Sequence, residues 1–153
     1  MPPPARGAQL GAPRGADAPA PRPAWESRSL ISDALAGCRV LVVDDEALIA
    51  MNVQDMLDEL GCVVVAAPTR VEEALAVVED GGIDAVLLDV NLHGRPSFPV
   101  ADALAARQVP FVFATGYGTH ILREDLRDRP LLPKPFRLRD LERVLAGALA
   151  ARQ

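Results

Sequence analysis

RVLVVDDE, Arg39 to Glu46, is the stretch on which the fold turns. Five residues, four of them β-branched or leucine, run straight into three consecutive carboxylates, Asp44, Asp45 and Glu46. A short strand that is apolar at every position must be buried on both faces, which is the habit of a central strand in a parallel sheet. Charge cannot continue into such a core, so the strand ends at Asp44 and the acidic triplet stands at its C-terminal edge.

Downstream, the same alternation repeats. Glu46 to Leu60 places Leu48, Ile49, Val53, Met56, Leu57 and Leu60 at helical spacing, with Gly61 suited to the C′ position. Cys62 to Ala67 reads as a second strand. Arg70 to Glu79 reads as a second amphipathic helix, stopped by Gly81-Gly82. Ile83 to Leu88 is a third apolar strand closed by Asp89. A Gly- and Pro-rich loop leads to a helix over Val100 to Arg107, and Pro110 to Ala114 forms a fourth strand. Ile121 to Arg127 has too few apolar residues for more than a weak fourth helix. Leu131-Leu132 is a fifth strand and Arg137 to Ala151 a last helix. Five such βα units over about 115 residues specify an α/β open parallel sheet with helices on both faces. Ligands in such sheets sit beyond the C-terminal strand ends.

Upstream, the character changes. Residues 1–29 hold half of the 14 prolines, many alanines, and Arg6, Arg14, Arg22 and Arg28. No apolar periodicity is present, so this segment reads as a disordered tail. Residues 30–37 read as a linker or short helix, Trp25 and the SLISDAL stretch being the candidates to pack on a domain over 38–153. The chain has 153 residues, half of them apolar, and a net charge of −5. That charge argues against nucleic acid as a partner. No apolar stretch approaches the ~20 residues of a membrane span, and no secretory h-region is present, so the expectation is a soluble, cytoplasmic protein. Cys38 and Cys62 lack zinc-site spacing and read as small buried hydrophobes. His93 and His120 read as solvated loop residues.

The strand ends carry the chemistry. Asp44 and Asp45 follow strand 1, Asp89 ends strand 3, Thr115 follows strand 4, and Lys134 follows strand 5. Lys134 is the single lysine among 16 basic residues; a compact ammonium fits a tight phosphate pocket that a planar guanidinium does not. Carboxylates gathered in one pocket repel, which calls for a hard cation, with Mg²⁺ the best match to oxygen donors. Asp89 can then act as a carboxylate nucleophile toward a phosphoryl group, with Thr115 and Lys134 binding its remaining oxygens.

Four motifs in order, VLVVDDE (40–46), VLLDVN (86–91), FATG (113–116) and LPKPF (132–136), resemble the receiver domains of bacterial two-component response regulators. The resemblance covers about residues 38–151 and implies a flavodoxin-like fold with strand order 2-1-3-4-5. It also implies that Asp45 ligates Mg²⁺ directly and Asp44 through water, that Asp89 is the phosphoacceptor, and that the Asn91 backbone carbonyl is a further ligand. Thr115 and Lys134 would contact the phosphoryl group. One departure stands out: Leu131 occupies the position three before the lysine where such receivers carry a switch aromatic. Tyr117, together with the PFVFATGYG stretch, looks like the subgroup named for an FATGUY motif, and Tyr117 with Thr115 is the expected switch.

The expected function is a stand-alone receiver, since no output domain follows the last helix. It would be phosphorylated by a histidine kinase or histidine phosphotransfer protein and read by a downstream protein, as a monomer or weak dimer. It would catalyse its own phosphorylation rather than act as a turnover enzyme. A phosphate shuttle or sink is an alternative within the same chemistry. A Mg²⁺-dependent phosphohydrolase is disfavoured because Asn91 stands where an acid/base carboxylate is needed, and a vestigial dimerisation domain because the charged set is complete.

Overall fold

The computed structural model describes residues 34–116 and 121–151. The N-terminal tail with Trp25, and Tyr117, Gly118 and His120, lie outside the described residues. The elements run β1 (Arg39–Val43), α1 (Ala47–Glu59), β2 (Val63–Ala66), α2 (Val71–Asp80), β3 (Ala85–Asp89), α3 (Phe98–Ala106), β4 (Phe111–Thr115), β5 (Leu131–Pro133) and α4 (Leu138–Ala151). The five strands form one parallel sheet in the order β2-β1-β3-β4-β5. This is the expected flavodoxin-like, doubly wound arrangement.

Each central strand alternates its side chains between two cores, as the two-residue period of a strand requires. Leu41, Val43, Val86, Leu88, Phe111 and Phe113 point to the face covered by α2 and α3. Val40, Val42, Ala85, Leu87, Val112 and Leu132 point to the face covered by α1 and α4. With aromatics scarce, Phe111 and Phe113 are the largest fully buried side chains among the described residues, edge to face with centroids 5.5 Å apart. Each large apolar side chain fully buried in these layers contributes roughly 1.5–3 kcal/mol before the entropy of ordering is subtracted. Gly61 ends α1 with φ +85°, the left-handed geometry a helix C-terminus needs.

Two local expectations are corrected. The weak helix over 121–127 shrinks to one 3₁₀ turn, Glu124–Leu126. Arg123 stands just before it in extended geometry (φ −57°, ψ 142°) and spends its guanidinium on Asp125 and on Asp102 of α3. That pairing favours a turn, and only Leu122 and Leu126 bury apolar surface nearby. Second, the loop after β3 is a miniature hairpin in which Asn91–Leu92 pairs antiparallel with Arg95–Pro96. Its two loop residues, His93 and Gly94, both have positive φ (51° and 80°), as a two-residue loop of the primed type needs. The helix that follows starts at Phe98, two residues earlier than its periodicity implies, with Pro99 tolerated in the first turn. No helix among the described residues is long and apolar enough to cross a membrane.

Candidate functional site

A cleft of about 830 Å³ opens at the C-terminal edge of the sheet, lined by the ends of β1, β3, β4 and β5 and by one side of α1. Sheet order sets its chemistry. β1 and β3 are neighbours, so Asp44 and Asp89 approach each other; β4 and β5 follow, bringing Thr115 and Lys134.

Lys134 Nζ lies between the two aspartates. It donates to Asp44 Oδ2 at 2.8 Å and to Asp89 Oδ2 at 3.4 Å. All three side chains are nearly enclosed, with 14%, 6% and 12% of their surface exposed. The backbone fixes this lysine, because Lys134 N–H donates to the Thr115 carbonyl at 2.8 Å and ties the two strand ends together. The Lys134–Pro135 peptide bond that follows is cis.

The carboxylates differ in how they are held. Asp44 Oδ1 accepts the Glu46 N–H at 2.9 Å, so both of its oxygens are engaged. Asp45 accepts the His93 N–H through Oδ2 at 2.8 Å, and its other oxygen accepts no hydrogen bond among the described residues. Oxygens of Asp44, Asp45 and Glu46 lie within 4.8 Å of one another. Burial pushes the Asp89 carboxyl up to about 6. The Lys134 charge pulls it back, the Asp44 charge raises it again, and the Asn91 N–H stabilises its ionised form. Burial also works against the Lys134 ammonium, but its hydrogen bond to Asp44 and the charges of Asp89 and Asp44 carry the net shift upward. One cation therefore does not neutralise the pocket: Asp44, Asp45 and Asp89 face a single lysine.

The residues singled out in the sequence thus converge: Asp45, Asp89, Asn91, Thr115 and Lys134 line one cleft, and Asp44 is buried beside it on Lys134. Tyr117, the expected switch partner of Thr115, lies outside the described residues. Leu131, in the usual switch position, is half-buried against the α2/α3 core.

Residues 40–146 match the response regulator receiver domain family. The chain belongs to that family. The solution structure of SdrG from Sphingomonas melonis Fr1 is 51% identical, with a TM-score of 0.65, over 78% of this chain and 97% of that one. A BeF₃-activated conformation of SdrG aligns at 50% identity and a TM-score of 0.66 over 74% of this chain and 98% of that one. Among curated relatives, the transcriptional regulatory protein PdtaR of Mycobacterium tuberculosis is 34% identical over 114 residues, 72% of this chain and 56% of PdtaR. The chain spans about half the length of the curated relatives of this kind. Receivers are regulators rather than turnover enzymes, and the fold and family expectations hold.

Three contributors to the site were not legible in the sequence. Ser97 is fully buried, and its hydroxyl donates to the Asp89 carbonyl at 2.5 Å while its N–H donates to the Val90 carbonyl. Ser directly before a helix signals an N-cap, but this hydroxyl turns back to β3 instead. His93 acts through its backbone N–H alone, which no side-chain motif announces. The inward flank of α1, with Ile49 and Met56 facing Phe136, forms an apolar arm of the cleft that helical periodicity assigns simply to the core.

Proposed function

We propose that the protein accepts a phosphoryl group on Asp89 from a phosphohistidine and signals through a phosphorylation-dependent contact with another protein. The observation that carries this reading is the Lys134 ammonium shared between Asp44 and Asp89 at a cleft whose other charged lining residues, Asp45 and Glu46, are acidic. As the O–P bond to Asp89 forms, the P–N bond of the donor histidine breaks and its electron pair stays on the imidazole. Asp89 presents one carboxylate oxygen while its other oxygen faces Lys134. Lys134 then follows the new negative charge onto the phosphoryl oxygens, and the Thr115 hydroxyl, at the end of β4, serves as a further donor. Ser97 and the Asn91 N–H keep the acceptor in place from behind.

The donor set fits Mg²⁺. All candidate ligands are oxygens, the negative charge exceeds the one lysine, and Asp45 has an oxygen to spare. Asp45 and Asp89 with the Asn91 carbonyl would hold the ion, and Asp44, with both oxygens engaged, would act through water. When bound, Mg²⁺ supplies charge neutralisation between Asp89 and the entering phosphoryl oxygens. The readout is assigned to Thr115 with Tyr117, two residues further along. The phosphoryl donor is a histidine kinase or phosphotransfer protein.

Incubation with acetyl phosphate and Mg²⁺, followed by intact mass, tests the central step. The wild type is expected to gain one phosphoryl group and Asp89→Asn none. An unmodified wild type, or equal modification of the variant, rejects Asp89 as the acceptor.

A further inference from the structure

Cys38 and Cys62 take no part in the cleft. They stand at the opposite edge of the sheet, immediately before β1 and β2, and both are present as thiols. The register pairs Arg39 with Val63, and the Val63 N–H donates to the Cys38 carbonyl at 2.8 Å, so the two cysteines occupy neighbouring rungs of parallel strands. Their side chains share one face: both belong to the α1/α4 core with Val40, Val42, Leu35 and Leu57. Neighbouring strands run about 4.8 Å apart, inside the roughly 4.4–6.8 Å Cα separation a disulfide spans. Cys38 hydrogen-bonds Cys62, which holds the Cys62 thiol below its ordinary pKa against the opposing effect of burial, and Cys62 Sγ lies 3.5 Å from the Leu35 carbonyl.

We propose that Cys38 and Cys62 are a peroxide-responsive thiol pair that closes to an intramolecular disulfide, clamping β1 to β2. The closed loop contains Asp44, Asp45 and all of α1. The Cys62 thiolate attacks hydrogen peroxide; an S–O bond forms, the O–O bond breaks, and a sulfenic acid and one water result. The Cys38 sulfur then attacks the Cys62 sulfenic acid; the S–S bond forms, the S–O bond breaks, and the departing hydroxide takes the Cys38 proton to leave as a second water. Two thiols and one peroxide become one disulfide and two waters. With only 7% and 6% of their surfaces exposed, the two cysteines are shielded from a bulky oxidant such as glutathione disulfide, so the oxidant they call for is small and neutral. The Cys62 sulfenic acid is formed on the strand position beside its resolving thiol, which favours the disulfide over further oxidation.

The full chain treated with hydrogen peroxide decides the matter, read by intact mass, thiol titration and non-reducing gel. The expected result is a mass loss of about 2 Da, a fall in titratable thiols from two to none, a monomeric band, and reversal by dithiothreitol. Glutathione disulfide at the same concentration is expected to react at least tenfold more slowly. The oxidised protein should also melt several degrees higher, because the cross-link restricts the unfolded chain. Cys38→Ala and Cys62→Ala should each abolish the mass loss, and the wild-type measurement stands even if a variant folds poorly. An unchanged mass, oxygen added to one cysteine while the other stays titratable, or covalent dimers would each overturn the proposal. None of these readouts requires Asp89 to be phosphorylated.

Discussion

Among the described residues the same charge arrangement occurs twice, once enclosed and once open. In the cleft, Lys134 stands between Asp44 and Asp89 at 2.8 and 3.4 Å. On the surface, Arg123 stands between Asp102 and Asp125, gripping Asp102 with two nitrogens at 2.6 and 3.1 Å and Asp125 at 2.7 Å. The surface cluster has the better geometry. Its side chains are 40–65% exposed, however, while those in the cleft are 6–14% exposed. The carboxyls respond in opposite directions. The Arg123 hydrogen bonds hold Asp102 and Asp125 below the usual carboxylate range. Burial raises Asp89 to about 6 in spite of Lys134. Solvation, more than hydrogen-bond length, decides what a charge cluster is worth. An exposed cluster is already solvated and positions a turn; an enclosed one with excess negative charge is held at a cost that a bound cation relieves.

Removing the enclosed cation gives the largest expected stability effect. Lys134→Met leaves Asp44 and Asp89 facing each other out of water. Breaking a buried pair from one side costs about 3–5 kcal/mol when the remaining charge cannot adapt. Here Asp89 can take up a proton, so the expected loss is about 2–4 kcal/mol at pH 8, shrinking toward pH 5. Urea melts of the metal-free variant and wild type at the two pH values measure it. A loss independent of pH would mean that the lysine stabilises by packing of its stem.

Asp89→Asn sharpens the contrast from the other side. With a folded-state pKa near 6, the folded protein keeps a proton on Asp89 that the unfolded chain releases near pH 4. Stability of the metal-free wild type therefore falls as pH rises through that window and stays lower above it. Asn carries no such penalty. The variant is expected to be more stable than wild type by about 2–3 kcal/mol at pH 8, with no advantage below pH 4. Added Mg²⁺ should narrow the gap, because binding to the folded wild type stabilises it by mass action. The measurement is again the urea midpoint against pH. An Asn variant less stable than wild type at pH 8 would remove the picture of a strained acidic pocket.

The cleft was legible in the sequence for a specific reason. Its members are the residues at which apolar strands stop, and a βα alternation gathers successive strand ends on one edge whatever the loop details. Asp44, Asp89, Thr115 and Lys134 needed only that rule and the strand order. What escaped depends on register or on where a side chain turns. The pairing of Arg39 with Val63 puts Cys38 beside Cys62, and neither strand's composition contains it. Ser97 could cap α3 or bond backward to Asp89, and the choice follows from the short hairpin between them. Arg123 converts an expected helix into a turn through Asp102, a partner on α3 that no local pattern reveals. The receiver fold is thus written mostly in short-range patterning, while the shell that supports its site is written in pairings across the sheet and between elements.

The smallest expected effect comes from the open cluster. Asp102→Asn removes one of the two carboxylates that Arg123 grips with two nitrogens but leaves Asp125 and solvent to satisfy the guanidinium, which also rests over the Phe98 ring at 5.6 Å. Since the Asp102 carboxyl is held below its ordinary pKa, whatever it contributes is present above the unfolded value near pH 4 and is lost as pH falls further. That dependence is opposite in sign to Asp89. The thermal midpoint of Asp102→Asn at pH 8 is expected to stay within about 2 °C of wild type, and any difference should shrink further in 1 M salt, where screening acts over a few ångströms. A salt-resistant drop as large as that of Lys134→Met would show that Asp102 locks the 3₁₀ turn against α3 as firmly as Lys134 binds the cleft. In that case side-chain exposure would be a poor guide to the energetics of both clusters.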